Sequence, residues 1–257
     1  MSSKLSGLLK DSSKSIPGLA AKPYSKHYYA LLVNVMVLAF VAPLIDHSVL
    51  SHIGIALILL TLLVVSTLAV RREEKFDWGS IALALTAGTA WSLCFCSNLA
   101  PFNTTHFQLI SLITILVFFF YIMRIMVIDI LTGEINSNRI CGGACVYVLI
   151  GFCFALIHMM IAIDNPFAYK DMIKADETSI GHQERYPILI YFSFCTLSTL
   201  GYGDVVPLSR LARASSCLEA ICGQLYLAIL VARVVGMHTA VKAEPKRLEA
   251  ERQIEKA

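Results

Sequence analysis

Thr199, Leu200, Gly201, Tyr202, Gly203 and Asp204 stand in one run, T-L-G-Y-G-D, between two long apolar segments. Backbone carbonyls that face one axis can replace the hydration shell of a cation, and the Thr199 hydroxyl can join them. Successive carbonyls reach that arrangement only if the backbone visits conformations that side chains disfavour, and Gly201 and Gly203 supply them at alternate positions. The chemistry is dehydration and passive transfer of an ion, without bond making. No nucleophile–base constellation or phosphate-binding glycine loop stands elsewhere, so no enzyme is expected.

Such a run needs a membrane frame around it. The chain has 257 residues, 57% of them hydrophobic and 15% charged, too apolar for an ordinary soluble domain. The net charge of +3 decides little, because Lys and Arg punctuate hydrophobic runs instead of clustering, and no nucleic acid partner is expected. Six stretches approach the roughly 20 residues that cross a bilayer: Tyr28 to Ile45, Leu50 to Val70, Trp78 to Leu99, Phe107 to Leu131, Ile140 to Ile163 and Leu208 to Met237. The links 46–51 and 100–106 hold no Lys or Arg, whereas the amino-terminal arm, the link with Arg71, Arg72 and Lys75, and the tail are basic. The positive-inside bias therefore places both termini in the cytoplasm, and an even number of spans agrees. No secretory signal peptide is visible, and the Asn103-Thr104-Thr105 sequon is read as chance.

Between the last two spans, Asp164 to Arg185 is polar and reads as an outer turret with more acidic than basic residues. Its charge could concentrate cations, or the loop is simply solvated. Pro187 then opens Ile188 to Ser198, an apolar segment too short to cross the bilayer, which reads as a re-entrant pore helix. Its carboxyl end would aim partial negative charge at ions below the filter.

From Ile140 to Met237 the chain resembles the potassium-channel pore family, whose filter usually reads T-V-G-Y-G. The resemblance implies an all-α membrane protein with six transmembrane helices, a re-entrant pore helix, a selectivity-filter loop and a tetrameric pore. K+ would bind at Thr199, Leu200, Gly201 and Tyr202 as the permeant ion, with no cofactor and with membrane lipids as the other partners. Here Leu200 replaces the usual Val, but the coordinating carbonyl is unchanged, so potassium selectivity is expected. The resemblance also implies aromatic braces behind the filter at Tyr191 and Phe192. The Tyr191 hydroxyl could bond Asp204, whereas Phe192 has no donor for Tyr202. Where some members carry a buried acid behind the filter this chain has Cys195, and inactivation through that acid is not carried over.

Leu208 to Met237 resembles the family's inner, pore-lining helix. Gly223 stands where members place a hinge glycine, and hinge and close packing are both open readings. Gln224, Leu227, Val231 and Val235 share one helical face, which makes a hydrophobic constriction with Val235 as the candidate gate. Glu219 and Arg233 are ionisable within the span. Glu219 could hydrogen-bond behind the filter or sense protons, and Arg233 is expected to snorkel. His158 reads as a buried, hydrogen-bonded histidine, with pH sensing as the alternative.

The organisation expected is an amino-terminal arm (1–27), a four-helix transmembrane domain (28–131), a cytoplasmic linker (132–139), the pore domain (140–237) and a short tail (238–257). The fourth span offers only Arg124, so steep voltage gating is not expected. Arg124 and Asp129 are expected to pair with each other or with a linker residue such as Glu134. In the tail Pro245 is expected to interrupt the helix. The eight cysteines lie in apolar spans and read as packed free thiols, Cys141 and Cys145 included, in preference to a disulfide framework or metal site. One filter per chain implies a homotetramer, and compactness points to a bacterial inner membrane. The rival readings are a potassium transporter, which would carry four degenerate filter loops in one chain, and a non-conducting or accessory subunit.

Overall fold

The computed structural model describes residues 28–41, 61, 64–65, 78–97, 104–132, 137–172 and 185–256. In chain order the elements are α1 (Tyr28–Val41), α2 (Trp78–Ser97), α3 (Thr104–Thr132), α4 (Ser137–Asp164), β1 (Tyr169–Asp171), α5 (Arg185–Leu197), β2 (Val205–Pro207) and α6 (Arg210–Lys256). Among the described residues three helices are long and apolar enough to cross a membrane: Thr105–Thr132, Asn138–Asp164 and Arg210–Gly236. They coincide with the fourth, fifth and sixth stretches read from the sequence. Shorter apolar helices, Tyr28–Phe40 and Ile81–Ala90, fall in the first and third. The second stretch lies outside the described residues except at 61, 64 and 65.

Helix α4 is the hub, packing against α1, α3, α5 and α6. Accordingly 67% of its span is buried, against 11% for α6, whose apolar surface is left largely uncovered by its own chain. Small residues on α4 allow close approach: a Cβ on Gly151 would meet the Phe194 ring at 2.7 Å. The larger apolar core runs through Tyr28, Phe118, Ile122, Met126, Leu149 and Phe152.

Tyr28 also anchors a polar knot. Its hydroxyl donates to Asp129 Oδ2 at 2.9 Å, and Arg139 donates from Nε to Oδ2 at 3.3 Å and from Nη2 to Oδ1 at 3.2 Å. Asp129 and Arg139 are both buried. Of the two partners expected for Asp129, Arg124 and a residue of the linker 132–139, the structure gives the second, in Arg139. Five residues on one helix are about 140° apart, whereas Arg139, at the start of the next helix, meets Asp129 as a two-pronged donor.

Two expectations change. Helix α6 runs unbroken from Arg210 to Lys256, through Pro245. Proline removes one intrahelical hydrogen bond but its fixed φ is helical, so the helix passes through it. Arg185, counted with the turret charges, opens α5 and is buried, and that burial lowers its guanidinium pKa from the ordinary value.

Candidate ion-conduction site

Helix α5, 13 residues long, is about 20 Å in length, short of the roughly 30 Å hydrocarbon core. Pro187 lies in its first turn, where its missing N–H costs nothing. At its carboxyl end the chain does not leave at once: the Leu200 amide donates to the Cys195 carbonyl at 2.9 Å and the Gly201 amide to the same oxygen at 3.3 Å. Cys195 thus supports the loop 199–203 through its backbone, with its side chain buried.

Along Thr199 to Gly203 the backbone alternates. Thr199 (φ 58°), Gly201 (φ 58°) and Gly203 (φ 77°) have left-handed φ values, and Leu200 and Tyr202 between them do not. Two of the three are the glycines that the spacing required. The third is a β-branched residue in a conformation that costs it of order 1–3 kcal/mol, and its hydroxyl donates to the Ser198 carbonyl at 2.7 Å. Thr199, Leu200, Gly201, Tyr202 and Gly203 are all exposed on the single chain.

Past Gly203, the Tyr191 hydroxyl donates to Asp204 Oδ2 at 2.6 Å. That hydrogen bond, with burial second, raises the phenol above its ordinary pKa. Strand β2 pairs antiparallel with β1, Tyr169 opposite Pro207 and Asp171 opposite Val205. The Met172 amide adds a bond to the Asp204 carbonyl at 2.6 Å. The segment read as a polar turret thus contributes a strand that fastens the chain leaving the loop 199–203. Ser209 caps α6, accepting from the Ala212 amide at 3.1 Å.

Phe192, expected as a brace beside Tyr202, lies buried with its ring 5.1 Å from His158 and 5.4 Å from Tyr169. Gly223 is buried against the carboxyl end of α5, where an added Cβ would stand 2.8 Å from both the Leu197 carbonyl oxygen and its Cδ1. Close packing is therefore a fact at this glycine. Beside it the Tyr147 hydroxyl donates to the Leu197 carbonyl at 3.3 Å, and the Tyr226 hydroxyl donates to the Gly143 carbonyl at 2.8 Å.

Glu219 is fully buried and hydrogen-bonds His158 Nε2 at 2.8 Å and the Ser193 hydroxyl. The His158 Nδ1 meets the Tyr169 hydroxyl at 2.7 Å. Ser193, Tyr169, Tyr147 and Leu197 were not singled out from sequence. The available signal was complementary: His158 and Glu219 are ionisable residues within neighbouring apolar spans, and each needs a partner. On α6 the Gln224, Val231 and Val235 side chains are exposed and Leu227 is half-buried, about a third of a turn around from the packed positions Glu219, Gly223, Tyr226 and Leu230. Described cysteines, Cys141, Cys145, Cys153, Cys195, Cys217 and Cys222, are free thiols, and no metal-holding cluster occurs among the described residues. Cys94 and Cys96 lie outside the described side chains.

Residues 144–239 match a family model described as an ion channel. The matched region contains most of α4, the short helix, the alternating loop and the apolar part of α6, and it supports passive ion conduction by a membrane protein. No curated protein is significantly similar to the chain.

Proposed function

We propose that this chain is one subunit of a potassium-selective channel in which four copies surround an axis, each contributing Thr199 to Gly203. The observation that carries this reading is the alternation of φ at Thr199, Gly201 and Gly203. Alternating left-handed and ordinary residues turn successive carbonyls toward one side, as a ring of dehydrating oxygens requires. With the Thr199 hydroxyl, the carbonyls of Thr199, Leu200, Gly201 and Tyr202 are the potassium ligands, and ions pass by knock-on between adjacent sites.

The surface of α6 supports the assembly. One face, with Glu219, Gly223, Tyr226 and Leu230, is covered by the chain itself. A second, with Leu211, Leu218, Ile221, Leu225 and Ile229, is more than half exposed at every position and would pack on a neighbouring copy. The third, with Gln224, Leu227, Val231 and Val235, would line the pore below the filter, Val235 closing it by dewetting. The six-span topology with both termini in the cytoplasm rests on the charge bias of the links. The first four spans lack the charge ladder of a voltage sensor, so conduction depends weakly on voltage.

Flux through liposomes holding only the purified chain tests the proposal. Potassium-selective flux is expected, with loss in Gly203→Ala, whose new Cβ meets nothing within 4 Å but sits at a left-handed φ. Equal sodium and potassium flux, or none, would overturn it.

A further inference from the structure

A continuous line of polar atoms crosses the middle of the pore domain. It runs from the Tyr169 hydroxyl to His158 Nδ1 (2.7 Å), from His158 Nε2 to Glu219 Oε2 (2.8 Å), from Glu219 Oε1 to the Ser193 hydroxyl, and from that hydroxyl to the Gly151 carbonyl (2.7 Å). His158, Ser193 and Glu219 are 0% exposed and Tyr169 is 1% exposed. The Phe154 and Phe192 rings stand beside His158, with centroids 6.4 Å and 5.1 Å from its own, and give the line an apolar wall.

Counting hydrogens fixes the direction of the line. The Gly151 carbonyl can only accept, so Ser193 gives its single hydroxyl hydrogen there. The contact between Ser193 and Glu219 then needs a hydrogen from Glu219 Oε1. At the other end Tyr169 donates to a bare Nδ1, and His158 keeps its hydrogen on Nε2 and donates it to Oε2. Every contact then holds one hydrogen, all four point the same way, and no net charge is buried. An ionised Glu219 taking the Ser193 hydrogen would leave two bare oxygens, those of Ser193 and Gly151, 2.7 Å apart in a low-dielectric interior, where an unmade hydrogen bond is costly.

The line joins the two ends of the filter to one residue of the inner helix. Ser193 belongs to α5, which leads into the filter, and Tyr169 belongs to β1, which is paired with the strand leading out of it. We infer that Glu219 acts as a neutral acid at the centre of a directed hydrogen-bond chain, and that through Ser193 on one side and His158 and Tyr169 on the other it holds both ends of the filter loop to the inner helix. Glu219 and His158 are thus positioning residues for selective conduction, a role that rests on the channel reading above.

The test compares the parent, Glu219→Gln and Glu219→Ala as purified oligomers, in vesicles of phosphatidylethanolamine and phosphatidylglycerol, by the ratio of potassium to sodium flux. Glutamine keeps both contacts, one N–H of its NH2 donating to Ser193 and its oxygen accepting from His158, with one N–H more than the acid, so Glu219→Gln is expected to keep the parent's ratio. Glu219→Ala is expected to lower it about tenfold, the scale of one buried hydrogen-bond partner lost. An infrared difference spectrum between the parent and Glu219→Gln reads the proton directly and needs no alanine variant to fold. Loss of a carboxylic acid C=O band is expected, and loss of carboxylate bands instead would overturn the inference. A parent-like ratio in Glu219→Ala, or a Glu219→Gln as damaged as the alanine variant, would also overturn it. A parent that conducts no potassium would overturn the channel reading, and with it this positioning role.

Discussion

The carbonyl oxygen of Leu197 lies 2.8 Å from the place where a side chain on Gly223 would begin. Helix α6 and the carboxyl end of α5 touch there backbone to backbone. Because the opposing atom belongs to the main chain, it cannot swing aside, and Gly223→Ala has to push the end of α5, from which the loop 199–203 leaves. We expect loss of selective flux with the oligomer retained. Gly143→Ala is the control: its Cβ meets Leu230 Cδ1 at 2.8 Å, a methyl group on a flexible side chain, and flux is expected to survive. Equal effects of the two substitutions in the liposome assay would remove the special role given to the contact at Gly223.

Removal of the Tyr191 hydroxyl in Tyr191→Phe takes from Asp204 a donor at 2.6 Å, just beyond Gly203. The expected result is faster decay of potassium current, or a lower potassium-to-sodium ratio, with the chain still folded. The same pair gives a pH prediction. The phenol is raised above its ordinary value of about 10 by its bond to Asp204, so the interaction is complete below that value and is lost only as pH rises through the higher folded-state value. Selectivity should therefore stay flat from neutral pH to about 10, and a fall centred well below that would count against the bond.

At the opposite end of the domain, the buried pair Asp129 and Arg139 offers a double-mutant cycle. Either Asp129→Leu or Arg139→Leu leaves an uncompensated buried charge and is expected to cost about 3–5 kcal/mol. The double substitution removes both charges and should cost clearly less than the sum. Thermal unfolding in detergent measures all four corners, and simple additivity would show that the two side chains do not interact.

Tyr28→Phe tests how the first helix is held to the pore domain. The ring stays against Gly142, where an added Cβ would meet it at 3.1 Å, and only the bond to Asp129 goes. A loss of about 1 kcal/mol in the same unfolding assay is expected, with no change in potassium selectivity.

What the sequence revealed was what is local. T-L-G-Y-G-D dictates its own backbone because the demand for left-handed φ falls on particular residues, although Thr199 meets that demand without being glycine. Pro187 and the length of the following apolar run marked the short helix for equally local reasons. Glu219 and His158 were each visible as ionisable groups in apolar surroundings, but they are 61 residues apart and nothing along the chain says that they meet. The reading of Asp129 left its partner open between Arg124 and the linker, because nothing local decides between a residue on the same helix and Arg139, ten residues on at the start of the next. The turret strand was invisible because three polar residues, Tyr169 to Asp171, carry no pattern until Val205 to Pro207 lie beside them. Proline's usual effect on helices gave the wrong result at Pro245.

That unbroken helix has a mechanical consequence. From Gly223 to Lys256 it extends about 50 Å, well beyond the thickness of the hydrocarbon core. With Gly223 packed against Leu197 at the carboxyl end of α5, this length is a lever arm with its fulcrum at that contact. A tilt of about 5° at the fulcrum moves the far end by about 4 Å over that length. A small tilt at Gly223 and a displacement as wide as an atom at Lys256 are then one and the same movement.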